Sequence, residues 1–227
     1  MSELKAVIFD IDGVLHDGVA KYFESLELFM KEKGIQSKEG MTTKLNGRSI
    51  KDIYAILLEE YGINGNTSEY EEKVGTSGDN YIHNEYKPAA ELLAFLKELK
   101  ENNIPIALAT SNVPQRAFLI IEKLSMQKED FSAIITAEHV HKAKPDPAIY
   151  VLTAKKLGVK PEDCVVFEDA PNGITAAKIT GMKTIAVKTR IQTTQELSEA
   201  NLVINNFGEV NIPTLKKLFT PVINILN

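Results

Sequence analysis

Cysteine is almost absent from this chain, which has a single one, Cys164, among its 227 residues. One thiol cannot form an internal disulfide, so a fold that depends on disulfide bonds is excluded. Cys164 begins the apolar run 164–167, and a cysteine in such surroundings behaves as a small hydrophobic residue. We therefore expect Cys164 to be buried.

Long apolar runs and segments of one charge sign are also lacking. No uninterrupted apolar stretch approaches the roughly 18 residues of a membrane-spanning helix. Residues 1–5 (MSELK) lack the basic start and apolar segment of a signal peptide. The 26 basic and 31 acidic residues give a formal net charge of −5, with no basic run that would suit nucleic acid or an anionic membrane. We expect a cytoplasmic protein without nucleic-acid or membrane partners, and any phosphate that it binds is expected to be small.

Short apolar runs, rich in β-branched residues, recur along the chain and predict strands that are buried on both faces. Helical patterns lie between them, and the clearest repeats apolar residues at three- and four-residue spacing from 89 to 99. Strands that alternate with helices predict an α/β fold with a doubly wound parallel sheet. The predicted strands are Ala6–Phe9, Ile106–Ala109, Ala133–Ile135, Cys164–Phe167, Thr184–Val187 and Leu202–Ile204.

One interval interrupts this alternation. Residues 17–85 contain no convincing strand, but they contain two helical apolar stripes and several glycines that mark helix ends or turns. We interpret 17–85 as an inserted α-helical cap domain, and 1–16 with 86–227 as the core. Mixed charges on the insert suit a lid better than a docking arm. The tail 211–227 is expected to pack on the core, and we expect a monomer, with a dimer left open.

Polar residues follow the predicted strands at their carboxyl ends, where an open parallel sheet binds its ligands. Taken one at a time, they have plainer explanations: an acidic pair in a turn, helix caps, and a lysine on the surface. These explanations do not account for their placement together at one edge of the sheet. The distinctive residues are Asp10, Asp12, Thr110, Ser111, Asn112, Lys144, Glu168 and Asp169.

A consistent chemistry connects these residues. Ionised Asp10 needs no base to act as a nucleophile, so it can attack a phosphoryl group and form an aspartyl phosphate. Because a carboxylate repels a phosphate dianion, a compensating cation is needed, and Mg²⁺ held by Asp10, Asp169 and a backbone carbonyl would supply it. Lys144 would add a fixed positive charge, and Ser111 a hydrogen bond to a phosphoryl oxygen. Asp12 is placed to protonate the leaving oxygen and then to deprotonate the attacking water.

Four blocks of sequence carry these residues: IFDIDGV at 8–14, ATSN at 109–112, AKPDP at 143–147 and VFEDAPNG at 166–173. In this order they resemble the motifs of the haloacid dehalogenase (HAD) superfamily, specifically its β-phosphoglucomutase-like branch of sugar-phosphate phosphatases and mutases. The resemblance covers essentially the whole chain. It implies a Rossmann-like core with a helical cap, dependence on Mg²⁺, and the roles given above. It also implies a metal site of Asp10, Asp12 through its backbone carbonyl, Asp169, and Glu168 as a supporting acid.

The resemblance leaves phosphatase and mutase activity to be distinguished. The β-phosphoglucomutase pattern has a cap arginine, a cap-helix histidine and a threonine hinge at positions that align here with Ile50, Tyr22 and Gly18. These departures favour hydrolysis, although Arg48 could supply the missing charge from a neighbouring position. The residues expected to bind substrate are Ser111, Asn112 and Lys144 in the core and Gly47, Arg48 and Ser49 in the cap.

The sequence thus predicts a Mg²⁺-dependent phosphatase for a small phosphorylated metabolite, such as a sugar or polyol phosphate. The alternatives are an intramolecular phosphotransferase that needs a bisphosphate activator, and a non-catalytic sensor, for which Asp12 would be unnecessary. His16, at the linker into the cap, is expected to be a hinge or surface residue. Selectivity is expected from cap residues around Arg48, Ser49, Lys73, Ser77 and Asn80.

Overall fold

The computed structural model describes residues 2–46, 48, 50–63, 67–191, 194 and 197–220. These residues contain a six-stranded sheet in which every neighbouring pair of strands is parallel, in the order β3-β2-β1-β4-β5-β6. The strands are β1 (Ala6–Phe9), β2 (Ile106–Ala109), β3 (Ala133–Ile135), β4 (Cys164–Glu168), β5 (Lys183–Val187) and β6 (Leu202–Ile204).

The predicted strands match the observed ones closely. Four coincide residue for residue, and β4 and β5 are each longer by one residue. The strand order confirms the doubly wound parallel sheet and reverses beside β1, which pairs with β2 on one side and β4 on the other. The carboxyl ends of β1 and β4 therefore flank the topological switch point, where ligands bind in sheets of this kind.

Helices cover both faces of the sheet and also form most of the segment between β1 and β2. A π-helical turn, Glu71–Gly75, separates two of them. The helices are α1 (Val19–Glu32), α2 (Met41–Leu45), α3 (Ile50–Tyr61), α4 (Thr67–Tyr70), α5 (Thr76–Asn84), α6 (Ala90–Glu101), α7 (Pro114–Lys123), α8 (Ala148–Leu157), α9 (Pro171–Ile179) and α10 (Ile212–Lys217).

Two apolar clusters, one on each face of the sheet, form the core. Because side chains alternate along a strand, odd-numbered β1 residues join the cluster that includes α6, α7 and α10, and even-numbered ones join the cluster with α8 and α9. Phe9 and Phe167 stack at 5.0 Å in the first cluster. Phe95 and Phe207 lie 5.5 and 5.3 Å from Phe167. Each such pair contributes about 0.5–1.5 kcal/mol beyond area burial, so this group firmly fixes the strands that carry the polar edge.

The segment between β1 and α6 is helical, and no strand occurs among the described residues of 17–85. Helices α1 to α4 and the π-helical turn share an apolar cluster of their own, which includes Phe23, Leu26 and Met30 of α1. Ile82 of α5 instead joins the core cluster beside Leu15, so α5 ties this segment to the sheet. We keep the division at 17–85 as our proposal for the cap.

The last helix confirms the expected packing of the tail as far as the structure describes it. Ile212 and Leu215 of α10 are buried in the core cluster, and Leu218 and Phe219 pack against it. Residues 221–227 lie outside the described residues. Cys164 is buried as expected. Within the described ranges, no helix combines the length and apolar character needed to cross a membrane. The cytoplasmic location and the monomeric state stay predictions.

Candidate active site

Asp10 directly follows β1 at the switch point, and its side chain is buried against Lys144. Nζ of Lys144 donates to Asp10 Oδ1 at 2.6 Å, to Glu168 Oε1 at 2.5 Å and to Ala109 O at 3.3 Å. All three protons of the ammonium group therefore have an acceptor. Because Lys144 is only 2% exposed, the explanation of a surface lysine is wrong.

Glu168 holds this lysine from the end of β4. Its Oε1 also accepts a hydrogen bond from the Tyr150 hydroxyl at 2.6 Å. Its Oε2 accepts from the backbone N–H groups of Asp169 at 3.1 Å and Ala170 at 3.2 Å. Four hydrogen bonds fill the roughly four lone-pair sites of a carboxylate. This geometry favours the supporting role that the sequence predicted for Glu168 over direct binding of a metal.

Asp10, Glu168 and Asp169 form a buried acidic group whose ligand atoms all lie within 4.8 Å of one another. When all three carboxylates are ionised, the single ammonium of Lys144 leaves an excess of two negative charges. Burial raises the pKa of Asp10 to about 8, even though Lys144 acts in the opposite direction. A divalent cation with oxygen ligands would balance this charge and favour the ionised nucleophile. The residues present therefore fit a cation such as Mg²⁺.

Two glycines allow the backbone to approach these carboxylates closely. A Cβ atom at Gly173, in the first turn of α9, would lie 1.9 Å from Glu168 Oε1. Gly13 has a φ of +73°, and a Cβ atom there would lie 2.2 Å from Asp169 Oδ2. The loop after β1 therefore packs directly on Asp169, as the predicted use of the Asp12 carbonyl as a ligand requires.

Asp12 is held through both of its carboxylate oxygens. Nε2 of His16 lies 2.8 Å from Oδ1, and the Asn112 amide donates to Oδ2. Arg116 donates from Nη1 to Asn112 Oδ1 at 3.2 Å, which turns the amide nitrogen of Asn112 towards Asp12. Burial would raise the pKa of Asp12, but the hydrogen bond from His16 and the nearby Arg116 charge outweigh it and lower that pKa. Asp12 is therefore ionised near neutral pH.

Residues of the proposed cap cover this site. A cavity of about 60 Å³ lies between Asp10 and Asp12 on the core side and Tyr22 and Arg48 on the cap side. Ser111, Asn112 and Arg116 border both this cavity and a wider cleft of about 910 Å³. Polar contacts also join the two sides: Asn46 Nδ2 donates to Asp169 Oδ2 at 3.0 Å, and Asn172 Nδ2 donates to Asn46 O at 3.2 Å.

The predicted substrate-binding residues have different surroundings. Ser111 lines the cavity beside the acidic pair, and Arg48 lines it from the cap. Asn112 lines it too, but its amide is hydrogen-bonded to Asp12, whereas Lys144 lines only the wider cleft. Gly47 and Ser49 lie outside the described residues. The direct contacts of Asn112 and Lys144 with substrate stay predictions.

The plainer explanation of Ser111, Glu168 and Asp169 as helix caps is wrong, because Val113 and Ala170 are the N-cap residues of α7 and α9. His16 is 6% exposed, so the option of a surface role is wrong. The cap positions at 73, 77 and 80 do not line either described cavity, and Lys73 pairs with Glu32. Their contribution to selectivity stays a prediction.

Four residues that shape the site were given no role there by the sequence. His16 and Arg116 each lie four residues after the group that they contact, a spacing that favours a local contact but does not specify it. Asn46 directly precedes the cap residues 47–49 that were predicted to bind substrate, and this position is only weak evidence for a role in the site. Nothing in the sequence indicates that Tyr150 donates to Glu168, because that contact depends on how α8 packs.

An aspartate paired with a buried lysine, beside a second aspartate and an acidic group at the sheet edge, has the groups that catalysis by a carboxylate nucleophile can use. Residues 7–187 match the family of haloacid dehalogenase-like hydrolases. The chain belongs to this family, which confirms the resemblance seen in the four sequence blocks.

Individual proteins and one solved structure are similar to this chain over most of its length. A phosphorylated carbohydrates phosphatase of Thermotoga maritima is 31% identical over 182 residues, which are 80% of this chain and 84% of that protein. The β-phosphoglucomutase of Bacillus subtilis is 31% identical over 219 residues, covering 93% and 94%. The structure of β-phosphoglucomutase from Clostridium difficile has the same fold, with a TM-score of 0.79, 24% identity, and coverage of 95% of this chain and 96% of that one.

Proposed function

We propose that this protein is a Mg²⁺-dependent phosphatase that hydrolyses a small phosphorylated sugar or polyol through an aspartyl phosphate on Asp10. The observation that carries the proposal is the position of Asp10, which is paired with Lys144 and borders a cavity that Asp12 and Ser111 also line. The relatives support the substrate class, since one is a phosphatase of phosphorylated carbohydrates and another acts as a phosphoglucomutase.

In the first step, an oxygen of Asp10 bonds to phosphorus while the bond from phosphorus to the leaving oxygen breaks. The leaving oxygen takes its proton from Asp12, which borders the same cavity. Asp12 is ionised before substrate binds. The negative charge of the bound phosphate raises its proton affinity, so Asp12 takes up a proton from solvent as substrate binds and carries that proton into this step. Lys144 holds the nucleophile in place, and Ser111 is placed to donate a hydrogen bond to a phosphoryl oxygen.

In the second step, water attacks the phosphorus of the aspartyl phosphate, and Asp12 takes the proton of that water. The bond to Asp10 breaks, and inorganic phosphate and the free carboxylate result. Asp10 and Asp169, with the Asp12 carbonyl, would hold Mg²⁺, and Glu168 would support them. When bound, this ion offsets the repulsion between the nucleophile and the phosphate.

The two cavities suggest how a substrate is accommodated. The 60 Å³ cavity beside Asp10 is far smaller than the roughly 300–1,000 Å³ of typical small-molecule sites, whereas the 910 Å³ cleft is within that range. We infer that the phosphoryl group enters the small cavity and that the sugar or polyol extends past Ser111, Asn112 and Arg116 into the cleft.

A mutase is the second candidate, because a β-phosphoglucomutase is among the relatives and because Arg48 lines the cavity. Such an enzyme must hold a bisphosphate in two orientations. Tyr22, at the position that aligns with the mutase histidine, has its hydroxyl engaged by Tyr70, which favours hydrolysis. A non-catalytic sensor is the weakest candidate, since the chain belongs to a hydrolase family and retains Asp12.

The test is phosphate release from a panel of sugar, polyol and nucleoside phosphates, with Mg²⁺ and with EDTA. We expect release by the wild type with Mg²⁺, and none by Asp10→Asn. Asp130→Asn is the matched control, because Asp130 caps a 3-10 turn and pairs with Lys100 at 2.6 Å, away from the site. Release that persists in Asp10→Asn would refute the nucleophile. Isomerisation of glucose 1-phosphate with added bisphosphate, and no release, would establish the mutase.

A further inference from the structure

His16 is a buried side chain for which the mechanism above has no use. Its ring is fixed on two sides, since Nδ1 accepts a hydrogen bond from the backbone N–H of Gly18 at 3.0 Å and Nε2 lies 2.8 Å from Asp12 Oδ1. Because Nδ1 is an acceptor, the proton of the neutral ring lies on Nε2, which donates to Asp12. The backbone N–H of Gly18 therefore determines that His16 donates its hydrogen bond to Asp12.

The surroundings of His16 leave its ring little freedom. The Gly13 N–H donates to the His16 carbonyl at 2.9 Å, which closes the loop that carries Asp12. The Tyr86 ring packs edge-on against the imidazole at 5.8 Å. On the other side, a Cβ atom at Gly18 would lie 2.8 Å from His16 Nδ1, so the linker backbone packs directly on the ring.

We propose that His16 is a positioning residue for the general acid–base Asp12. This inference rests on the proposed phosphatase function. His16 anchors Oδ1 and Asn112 anchors Oδ2, so the two donors together fix the plane of the carboxylate. Each carboxylate oxygen has a second lone pair, which stays available for the proton passed to the leaving group. Without His16, the carboxylate rotates away from the position that proton transfer requires.

This role predicts a dependence on the leaving group. A nitrophenolate leaves without a proton, whereas the alkoxide of a sugar or polyol needs one, so only the alkyl substrate depends on the orientation of Asp12. General acids contribute about 10²–10⁴-fold to rates. The comparison uses kcat/KM, because this quantity covers only the steps through formation of the aspartyl phosphate and excludes attack by water.

The experiment compares His16→Leu, His16→Gln and the wild type on p-nitrophenyl phosphate and on the alkyl phosphate that the wild type hydrolyses fastest. Glutamine keeps a donor nitrogen near the position of Nε2, and leucine keeps bulk without a donor. His139→Leu is the matched control, since His139 is exposed, lines neither cavity and, like His16, accepts a backbone hydrogen bond through Nδ1. We expect His16→Leu to lower the alkyl-to-aryl ratio of kcat/KM at least about 10-fold. His16→Gln and His139→Leu should stay within about threefold of the wild type.

Each contrary result is decisive. An equal loss on both substrates in His16→Leu means that His16 is only structural, and an unchanged ratio means that Asp12 needs no such anchor; either result overturns the inference alone. If the alkyl-to-aryl ratio of kcat/KM is as low in His16→Gln as in His16→Leu, loss of the hydrogen-bond donor to Asp12 is not the cause of the change. If the wild type hydrolyses neither substrate, the proposed function fails and the inference fails with it. Melting temperatures of all variants identify any loss of folding.

Discussion

Replacing Lys144 with methionine perturbs the most buried charge of the site. The lysine side chain is 1% exposed, and its partners Asp10 and Glu168 are 8% and 1% exposed. Methionine has a similar length and no charge, so two buried carboxylates lose their shared counter-ion. Removing one partner of a buried ion pair costs about 3–5 kcal/mol. In a domain of this size that corresponds to a fall in melting temperature of about 6–20 °C.

The same substitution should slow catalysis. Loss of one preorganised charged group costs roughly 2–4 kcal/mol of transition-state stabilisation, which is about 30- to 1,000-fold in kcat/KM. The loss should occur in kcat, because all three protons of the ammonium bind protein acceptors and hold the nucleophile. Acidic pH should partly restore the stability of the variant, since protonation removes the charge that methionine leaves unpaired.

The assay is thermal unfolding together with steady-state phosphate release, at pH 5.5 and pH 8. Lys97→Met is the matched control, because the Lys97 side chain is 73% exposed, pairs with Glu101 at 3.7 Å and lines neither cavity. This variant should melt and turn over within error of the wild type. If Lys144→Met also keeps the wild-type melting temperature and kcat, the ion pair with Asp10 contributes nothing and our description of the site is wrong.

Three further predictions concern other parts of the site and core. Gly173→Ala should lower both the melting temperature and the activity, since the new methyl group would lie 1.9 Å from Glu168 Oε1. Gly75→Ala, with open space around the new methyl group, should leave the melting temperature unchanged. Cys164 should resist a thiol reagent at pH 8 until the protein is unfolded, because burial raises its pKa to about 12; rapid labelling of the native protein would contradict this. With EDTA present, the melting temperature should fall as pH rises from about 4 to 8. The raised pKa of Asp10 makes the folded state retain a proton that the unfolded chain releases, and added Mg²⁺ should reverse the fall. A melting temperature that does not change with pH would exclude this proton linkage.

The sequence by itself determined the sheet and the edge at which chemistry takes place. A strand buried on both faces must be apolar along its whole length, so the six runs identified the six strands almost residue by residue. Parallel strands bring their carboxyl ends to one edge, and this rule is enough to group Asp10, Glu168 and Asp169 there. Local rules were sufficient because each of these residues directly follows or ends a strand.

Only the tertiary structure decided which groups hold the acids in place. Lys144 contacts Asp10 across 134 positions of sequence, and Asn46 contacts Asp169 across 123. Such contacts depend on how a loop or helix packs on the sheet, and the hydrophobic pattern of the sequence does not predict that packing. His16 shows the same limit at short range. Its position four residues after Asp12 was visible, but its donor role follows from burial and from the Gly18 N–H, which only the folded backbone supplies.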